Sequence, residues 1–408
     1  MALNLLFATF IIVSFFSFIY SYYIASRQII NAYSFFLLEY FVKIFISPLL
    51  PFLFFGQIDY LDSSFTVLLY STFFLISLFL GYISSFIPRL LSSYFSIFKS
   101  NARNIRIIKV NLLLFSFIFF VLSVISYLLL MVKSGVGTMW IFNTREAYQF
   151  HRSGAGMYYV FSQFFLYISF IFTLFRFRNR SILFISCITL LFSTLFFFFG
   201  SKRTIITALL IGVVFYSYFI HRISFIFTSI FAFLVACIFL LSQYFYSNYG
   251  ILGAIKYFDY FHNMTLFIDR NPNFDLMYGR CSFLDSLWLL VPRSLYPEKP
   301  FVYGSAHITE MVYPGAAQAT HYLGVLPWAT FYLDFKVVGI IIGGYTTGTC
   351  LRFLQILCER RANIFVFILF FNYGVSTILN HIPTFVLFSL MLITLTLLRI
   401  RFYNETVS

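Results

Sequence analysis

Lys202 and Arg203 stand side by side in Phe199-Gly200-Ser201-Lys202-Arg203, a short turn between two very apolar runs, and Thr204 opens the second of them. A helix amino terminus already presents unpaired N–H groups and the positive end of its dipole. Two further cations there are unfavourable unless an anion is present. The ligand such a site suits is a phosphate or pyrophosphate at a membrane surface, with Arg the better bidentate partner. The competing reading is a pair of long side chains snorkelling to lipid head groups.

The other polar reagents are gathered in one long segment, residues 243–336. It carries six of the 27 Lys/Arg, seven of the 13 Asp/Glu and three of the six His. Arg280, Arg293 and Lys299 are its candidate anion binders. Pro292, Pro297 and Pro300 stiffen the backbone around the last two, whereas a solvated loop could carry all three without a ligand. His321 lies just before the next apolar stretch, close to a membrane surface, and a neutral imidazole can accept a proton from a hydroxyl. His307 and His262 are weaker candidates for that role, and a lone His is more often only a hydrogen-bonding residue. Asp334, in Phe331-Tyr332-Leu333-Asp334-Phe335-Lys336, suits hydroxyl binding or proton acceptance, against a simple pairing with Lys336 or another nearby cation. Glu39 and Lys43 fall inside an apolar run at i, i+4 in the favourable order, and mutual neutralisation explains them.

These reagents need a frame, and the composition dictates one. With 61% hydrophobic and 10% charged residues, soluble domains are excluded. Apolar runs of about 20 residues recur, each long enough to cross a hydrocarbon core of about 30 Å. They are continuous rather than alternating, which excludes a barrel. The expected fold is all-α and polytopic, with about 11 (10–12) transmembrane helices. The spans are placed at 3–24, 31–55, 65–87, 110–132, 157–175, 181–199, 204–220, 223–242, 337–352, 363–380 and 383–399. This divides the chain into a helical membrane region over 1–242, the long exterior segment 243–336, and further spans over 337–408. The first run lacks a basic leader and is expected to be a span, not a cleaved signal.

The net charge of +14 comes from short basic clusters at helix ends, not a continuous stripe, so nucleic acid is not an expected partner. Clusters at 87–110, 176–180, 352–361 and 399–401 fall on one face of the alternation, which is expected to be cytoplasmic. The long segment, the Lys202-Arg203 turn and a medium loop at 134–156 then face outward. That loop carries Arg145 and Arg152 beside Glu146 and His151. The five cysteines show no metal-ligand or disulfide spacing. D-x-D, G-x-x-x-x-G-K-[ST], H-E-x-x-H and G-x-S-x-G are all absent.

The combination resembles the bacterial O-antigen polymerases, the Wzy family of oligosaccharide repeat-unit polymerases. The resemblance is carried by Phe199-Gly200-Ser201-Lys202-Arg203, by Val291-Pro292-Arg293-Ser294-Leu295-Tyr296-Pro297-Glu298-Lys299-Pro300 and by Tyr332-Leu333-Asp334-Phe335-Lys336-Val337-Val338-Gly339. It is carried also by the loop with Arg145-Glu146-Ala147-Tyr148 and Gly154-Ala155-Gly156. It implies a multi-pass protein of the bacterial inner membrane with a helical fold related to the GT-C glycosyltransferases. Its activity would be polymerisation of undecaprenyl-pyrophosphate-linked O-antigen repeat units at the periplasmic face, with no metal and no cofactor. Its partners would be the lipid-linked donor and acceptor, membrane lipid and a chain-length regulator protein. Under that reading Arg203, His321, Arg293 and Arg280 form the catalytic set. Lys202, Lys299, Arg145, Arg152 and Asp334 bind substrate. Two alternatives stay open: an O-antigen ligase, which shares the topology, and a lipid-linked oligosaccharide flippase, for which a charged path through the spans would be expected.

Overall fold

A computed structural model describes residues 2–25, 28–46, 63–84, 106–151, 155–200, 202–221, 223–224, 260–285, 296–300, 306–316, 323–360 and 400–404, with a few single residues between them. In chain order the helices are α1 (Ala2–Ile24), α2 (Ala32–Phe41), α3 (Ser64–Ile83), α4 (Leu112–Lys133), α5 (Met139–Phe142), α6 (Thr144–Phe150), α7 (Gly156–Arg176), α8 (Ile182–Phe197), α9 (Lys202–Phe219), α10 (Tyr260–Arg270), α11 (Ala306–Val312) and α12 (Ala329–Arg360). Helix α2 runs on into a π turn at Val42–Ile46, and a second π turn spans Arg280–Leu284. Strands β1 (Arg106–Val110) and β2 (Ile400–Asn404) pair in parallel, Arg106 opposite Ile400.

Among the described residues, five helices are long and apolar enough to cross a membrane: Leu5–Ile24, Ser64–Ile83, Leu112–Lys133, Gly156–Arg176 and Ala329–Glu359. Ile182–Phe197 and Thr204–Phe219 are apolar but shorter. These seven match expected spans in position. Of the spans at 223–242, 363–380 and 383–399 only residues 223, 224 and 367 are described, and the end of that at 31–55 lies outside the described residues. Capping sets several of the boundaries. Asn31 accepts from the Ser34 N–H and Ser34 Oγ accepts from the Asn31 N–H, a reciprocal box at the start of α2. Asn111 accepts from Leu113 and Leu114 at the start of α4. The strand pair was not expected: 87–110 and the tail after 399 read as basic, non-regular chain. Ile107, Ile108 and Val110 give the first strand its β-branched character.

The described residues fall into two compact units. One draws on Met1–Ser100 and Ala236–Leu357; the other draws on Asn101–Val235, Cys358–Phe371 and Leu392–Ser408. Lipid offers no hydrophobic drive for one apolar helix to leave it for another, so small and hydroxyl side chains hold such helices together. The two units use different versions of that device. In the first, α3 and α12 touch backbone to backbone: a Cβ on Gly81 would overlap the Tyr345 carbonyl, and one on Gly348 would overlap the Leu78 carbonyl. Gly344 and Gly348 form a G-x-x-x-G pair on that face of α12. In the second, α4 and α7 are stitched by reciprocal serine bonds. Ser116 Oγ donates to the Ser169 carbonyl and Ser169 Oγ to the Ser116 carbonyl, each at 2.9 Å. Ser123 and Ser162 repeat the exchange seven residues along, at 2.8 and 2.9 Å. The seven-residue repeat keeps an antiparallel helix pair in register over two turns. The opposite face of α4 is bare hydrocarbon, with Phe117 and Val132 exposed.

Helix α12 is interrupted near its start. Phe335 (φ −144°, ψ 20°) and Lys336 (φ 51°, ψ −135°) leave the helical region, so 329–334 and 337–360 are separate helical pieces. The break falls where the sequence places the end of the exterior segment and the start of a span at 337. The short first piece is anchored by aromatics: Trp328 Nε1 donates to Ser71 Oγ at 3.1 Å, and Tyr332 lies against Tyr70, Phe267 and Phe274.

Candidate functional site

The break at 335–336 strips the carbonyls before it of their helical N–H partners, and the chain at 277–278 supplies replacements. Met277 N–H donates to the Leu333 carbonyl at 3.1 Å and Tyr278 N–H to the Asp334 carbonyl at 3.3 Å. Tyr278 (φ 47°) and Gly279 (φ 85°) then turn the chain through the left-handed region into the π turn at Arg280–Leu284. The first N–H groups of that turn point at Asp334. Cys281 N–H reaches Oδ1 at 3.0 Å and Ser282 N–H reaches Oδ2 at 2.7 Å. Asp334 is completely buried, and both of its oxygens are engaged by these two N–H groups. Paired buried carboxylates of this kind are costly to remove because the donors are left without partners. Neither Lys336 nor another cation pairs with Asp334 among the described residues; Lys336 Nζ sits over the Phe274 ring, 5.3 Å from its centre.

The far end of the turn carries a second buried carboxylate, Asp285, whose side chain is 2% exposed. Its Oδ2 meets His307 Nε2 at 2.8 Å and the Gly304 N–H at 3.1 Å. Its Oδ1 faces Arg280 Nε at 3.6 Å. Arg280 is thereby tethered on one side while its side chain remains 52% exposed, a fixed cation open to a ligand. Cys281 Sγ lies beside this group, and the donor atoms of Cys281, Asp285 and His307 are all within 4.8 Å of one another. Burial first, then the neighbouring Asp334 and Asp285, push the Cys281 thiol up to about 12, so it keeps its proton at neutral pH. Asp285 is shared by His307, Gly304 and Arg280, so the cluster is tied together as a hydrogen-bonded network. The tether, the turn and the helix break all lie within the first unit.

Lys299 belongs to a tight proline-flanked turn: its Nζ donates to the Val291 carbonyl at 3.1 Å, and Trp288 stacks on Tyr296. Arg293, His321 and Arg152 lie outside the described residues.

In the second unit, two features that are separate in sequence come together. Gly200 (φ 65°) makes the turn into α9, which starts at Lys202 with Arg203 next and no acidic residue in its first turn. A Cβ at Gly200 would overlap the Thr144 carbonyl, so the start of α6, the helix that carries Arg145, packs directly against this turn. Tyr127 fastens the arrangement by donating to the Trp140 carbonyl at 2.7 Å and the Phe198 carbonyl at 3.0 Å. Arg145 is half-buried there. The Glu39–Lys43 pair read from the sequence forms at 2.7 Å, with Lys43 also over the Tyr260 ring.

Asp285 was not singled out by sequence reasoning, and His307 was ranked below His321. Their separation of 22 residues matches no motif, and only the turn chemistry of Tyr278-Gly279 hinted that the chain folds back here.

Fold and site together define a helical membrane protein whose ionisable groups are concentrated in turns and segments between its spans. Two curated relatives match the chain, O-antigen polymerases of Salmonella typhimurium (strain LT2) and of Salmonella typhi. Each is 26% identical over 289 residues, covering 69% of this chain and 68% of the relative. The resemblance to O-antigen polymerases carried by the short motifs therefore extends over most of the sequence. No family model matches, and no solved structure does.

Proposed function

We propose that the protein polymerises O-antigen repeat units, moving a growing glycan from undecaprenyl pyrophosphate to the sugar of the next lipid-linked unit at the periplasmic face of the inner membrane. The observation that carries this reading is the 26% identity to O-antigen polymerases across 69% of the chain. The geometry supports it. The leaving group is a lipid pyrophosphate, and its developing charge calls for preorganised cations at the membrane surface. Arg280 is such a cation, half-exposed and held from behind by Asp285. Lys202 and Arg203, at the start of α9, are proposed as a second anion-binding element, with Arg145 in the helix packed against that turn. Arg293 and Lys299 are proposed as further anion binders in the long segment, and Arg152 in the loop that carries Arg145, with cations serving in place of a metal. Asp334 acts in this scheme by positioning: it fastens the first turn after Gly279 and thereby Arg280.

The charge bias places 87–110 and 399–408 on the cytoplasmic side of an eleven-span protein. The β1–β2 pairing supports this, because two strands in one ladder must share a side of the membrane.

The test is the glycan profile of a strain lacking the gene, complemented by variants. Single repeat units on the lipid A core mark a polymerase defect. Lipid-linked polymer without transfer to core marks a ligase, and units trapped in the inner leaflet mark a flippase. Complementation with Arg203→Ala is expected to leave single units and no ladder; a normal ladder would remove Arg203 from the site.

A further inference from the structure

We infer that His307, oriented by Asp285, accepts the proton of the incoming sugar's hydroxyl during glycosyl transfer. The inference rests on the polymerase reading and names the base for it. Asp285 is 2% exposed, and its Oδ2 already receives the Gly304 N–H, so it acts as an acceptor. A carboxylate cannot donate, so the bond at 2.8 Å requires the proton on His307 Nε2. That leaves the lone pair on Nδ1, which has no partner among the described residues and is not buried. The ring is 17% exposed, open at one edge and gripped at the other. This is the arrangement by which a buried acid fixes the tautomer of a catalytic histidine and stabilises the imidazolium that forms. His262, the other described histidine of the exterior segment, has no orienting acid among the described residues. Among the described residues the buried carboxylates are committed elsewhere: both oxygens of Asp334 hold backbone N–H groups, and Asp285 holds the histidine itself.

The position also suits the chemistry. Arg280 Nε is 3.6 Å from the other oxygen of Asp285, so one buried carboxylate orients both a base and an exposed cation. In the transfer step the acceptor oxygen forms a bond to the anomeric carbon of the donor glycan. The bond from that carbon to the pyrophosphate oxygen breaks, and its electron pair leaves with the lipid pyrophosphate beside Arg280. The hydroxyl proton passes to His307 Nδ1 and is later lost to water. Among the described residues the charged group in contact with His307 is Asp285, which Arg280 approaches on its other oxygen, with the protonated Cys281 thiol beside them.

The experiment uses the purified full-length protein in lipid nanodiscs with lipid-linked repeat units as substrate, and reads kcat and KM against pH. Wild-type protein that makes no polymer would fail the polymerase reading itself; the outcomes below apply once it does. His307→Gln keeps a donor toward Asp285 and preserves the fold, but cannot accept the proton. It is expected to lose at least about 100-fold in kcat with KM within about threefold. The fall in kcat toward acid pH that protonation of the base imposes should vanish with it. Asp285→Asn, a positioning change, is expected to lose about tenfold in kcat. Added imidazole should restore part of the activity of His307→Gly. Wild-type kcat in His307→Gln, or its retention there with loss in His321→Gln, overturns the assignment. So does activity that a chelator abolishes and Zn²⁺ restores, which would make Cys281, Asp285 and His307 a metal site.

Discussion

Two turns in this molecule are built alike and electrostatically opposed. Each has a left-handed glycine just ahead of a helical segment: Gly279 at φ 85° before Arg280–Leu284, and Gly200 at φ 65° before Lys202–Phe219. In the first, the N–H groups of the new turn are answered from within by the buried carboxylate of Asp334. In the second, the first turn carries two cations and no acid. The difference separates two uses of one motif. A helix start that already holds an internal anion serves as a fixed platform, here for Arg280. A helix start that adds positive charge to its own dipole is suited to an anion arriving from outside.

Substitutions can break that comparison at several points. The largest effect is expected at Gly200, where Ala meets both a positive φ and the Thr144 carbonyl. Gly200→Ala should cost about 3 kcal/mol, from strain and overpacking together. Thermal unfolding of the purified protein checks this, and an unchanged transition would show that the turn relaxes freely. Asp334→Ala comes next: it leaves the Cys281 and Ser282 N–H groups without a partner in a buried site, at a cost of about 2 kcal/mol. Since Arg280 rides on the same turn, polymer yield should fall further than stability alone explains. Asp334→Asn, which keeps one acceptor, should recover part of both. Gly279→Ala should cost least, about 1 kcal/mol, because only the left-handed backbone opposes it; the nearest atoms to a new Cβ are ring carbons at 3.7 Å. A loss at Gly279 equal to that at Gly200 would end the distinction between strain alone and strain with collision.

Cys281 sharpens the picture without altering stability. Its thiol is buried and pushed up to about 12, so almost none is thiolate at pH 7 and little more at pH 8.5. In a variant retaining only this cysteine, maleimide labelling of the folded protein should be far slower than of the unfolded protein at the same pH. In Asp334→Ala, with the turn loosened, labelling should speed up. Rapid labelling of the unaltered turn would mean that it opens readily.

Much of the fold was legible before any coordinates, because a membrane imposes a simple rule on composition. The seven apolar helices that the structure describes lie where hydropathy places spans, although the last begins at Ala329, ahead of the expected start at 337. What hydropathy cannot encode is which helix faces which. Gly81 against Tyr345 and Ser116 against Ser169 depend on small side chains that look unremarkable within their own runs. The site was legible by residue type and not by pairing. Arg280 and Asp334 were picked out as charges in a polar segment, yet the partner of Asp334 is a pair of backbone N–H groups, which no side-chain pattern reports. Asp285 and His307 meet only because the left-handed turn at 278–279 and the start of α11 bring distant stretches together.

The β1–β2 ladder bears on how the chain is made. Its strands are about 290 residues apart, so the first is synthesised long before its partner exists. Closing a contact of that span is among the slowest steps open to a polypeptide, and it can occur only after Ile400–Asn404 has been translated. The ladder thus joins two stretches that are synthesised far apart in time.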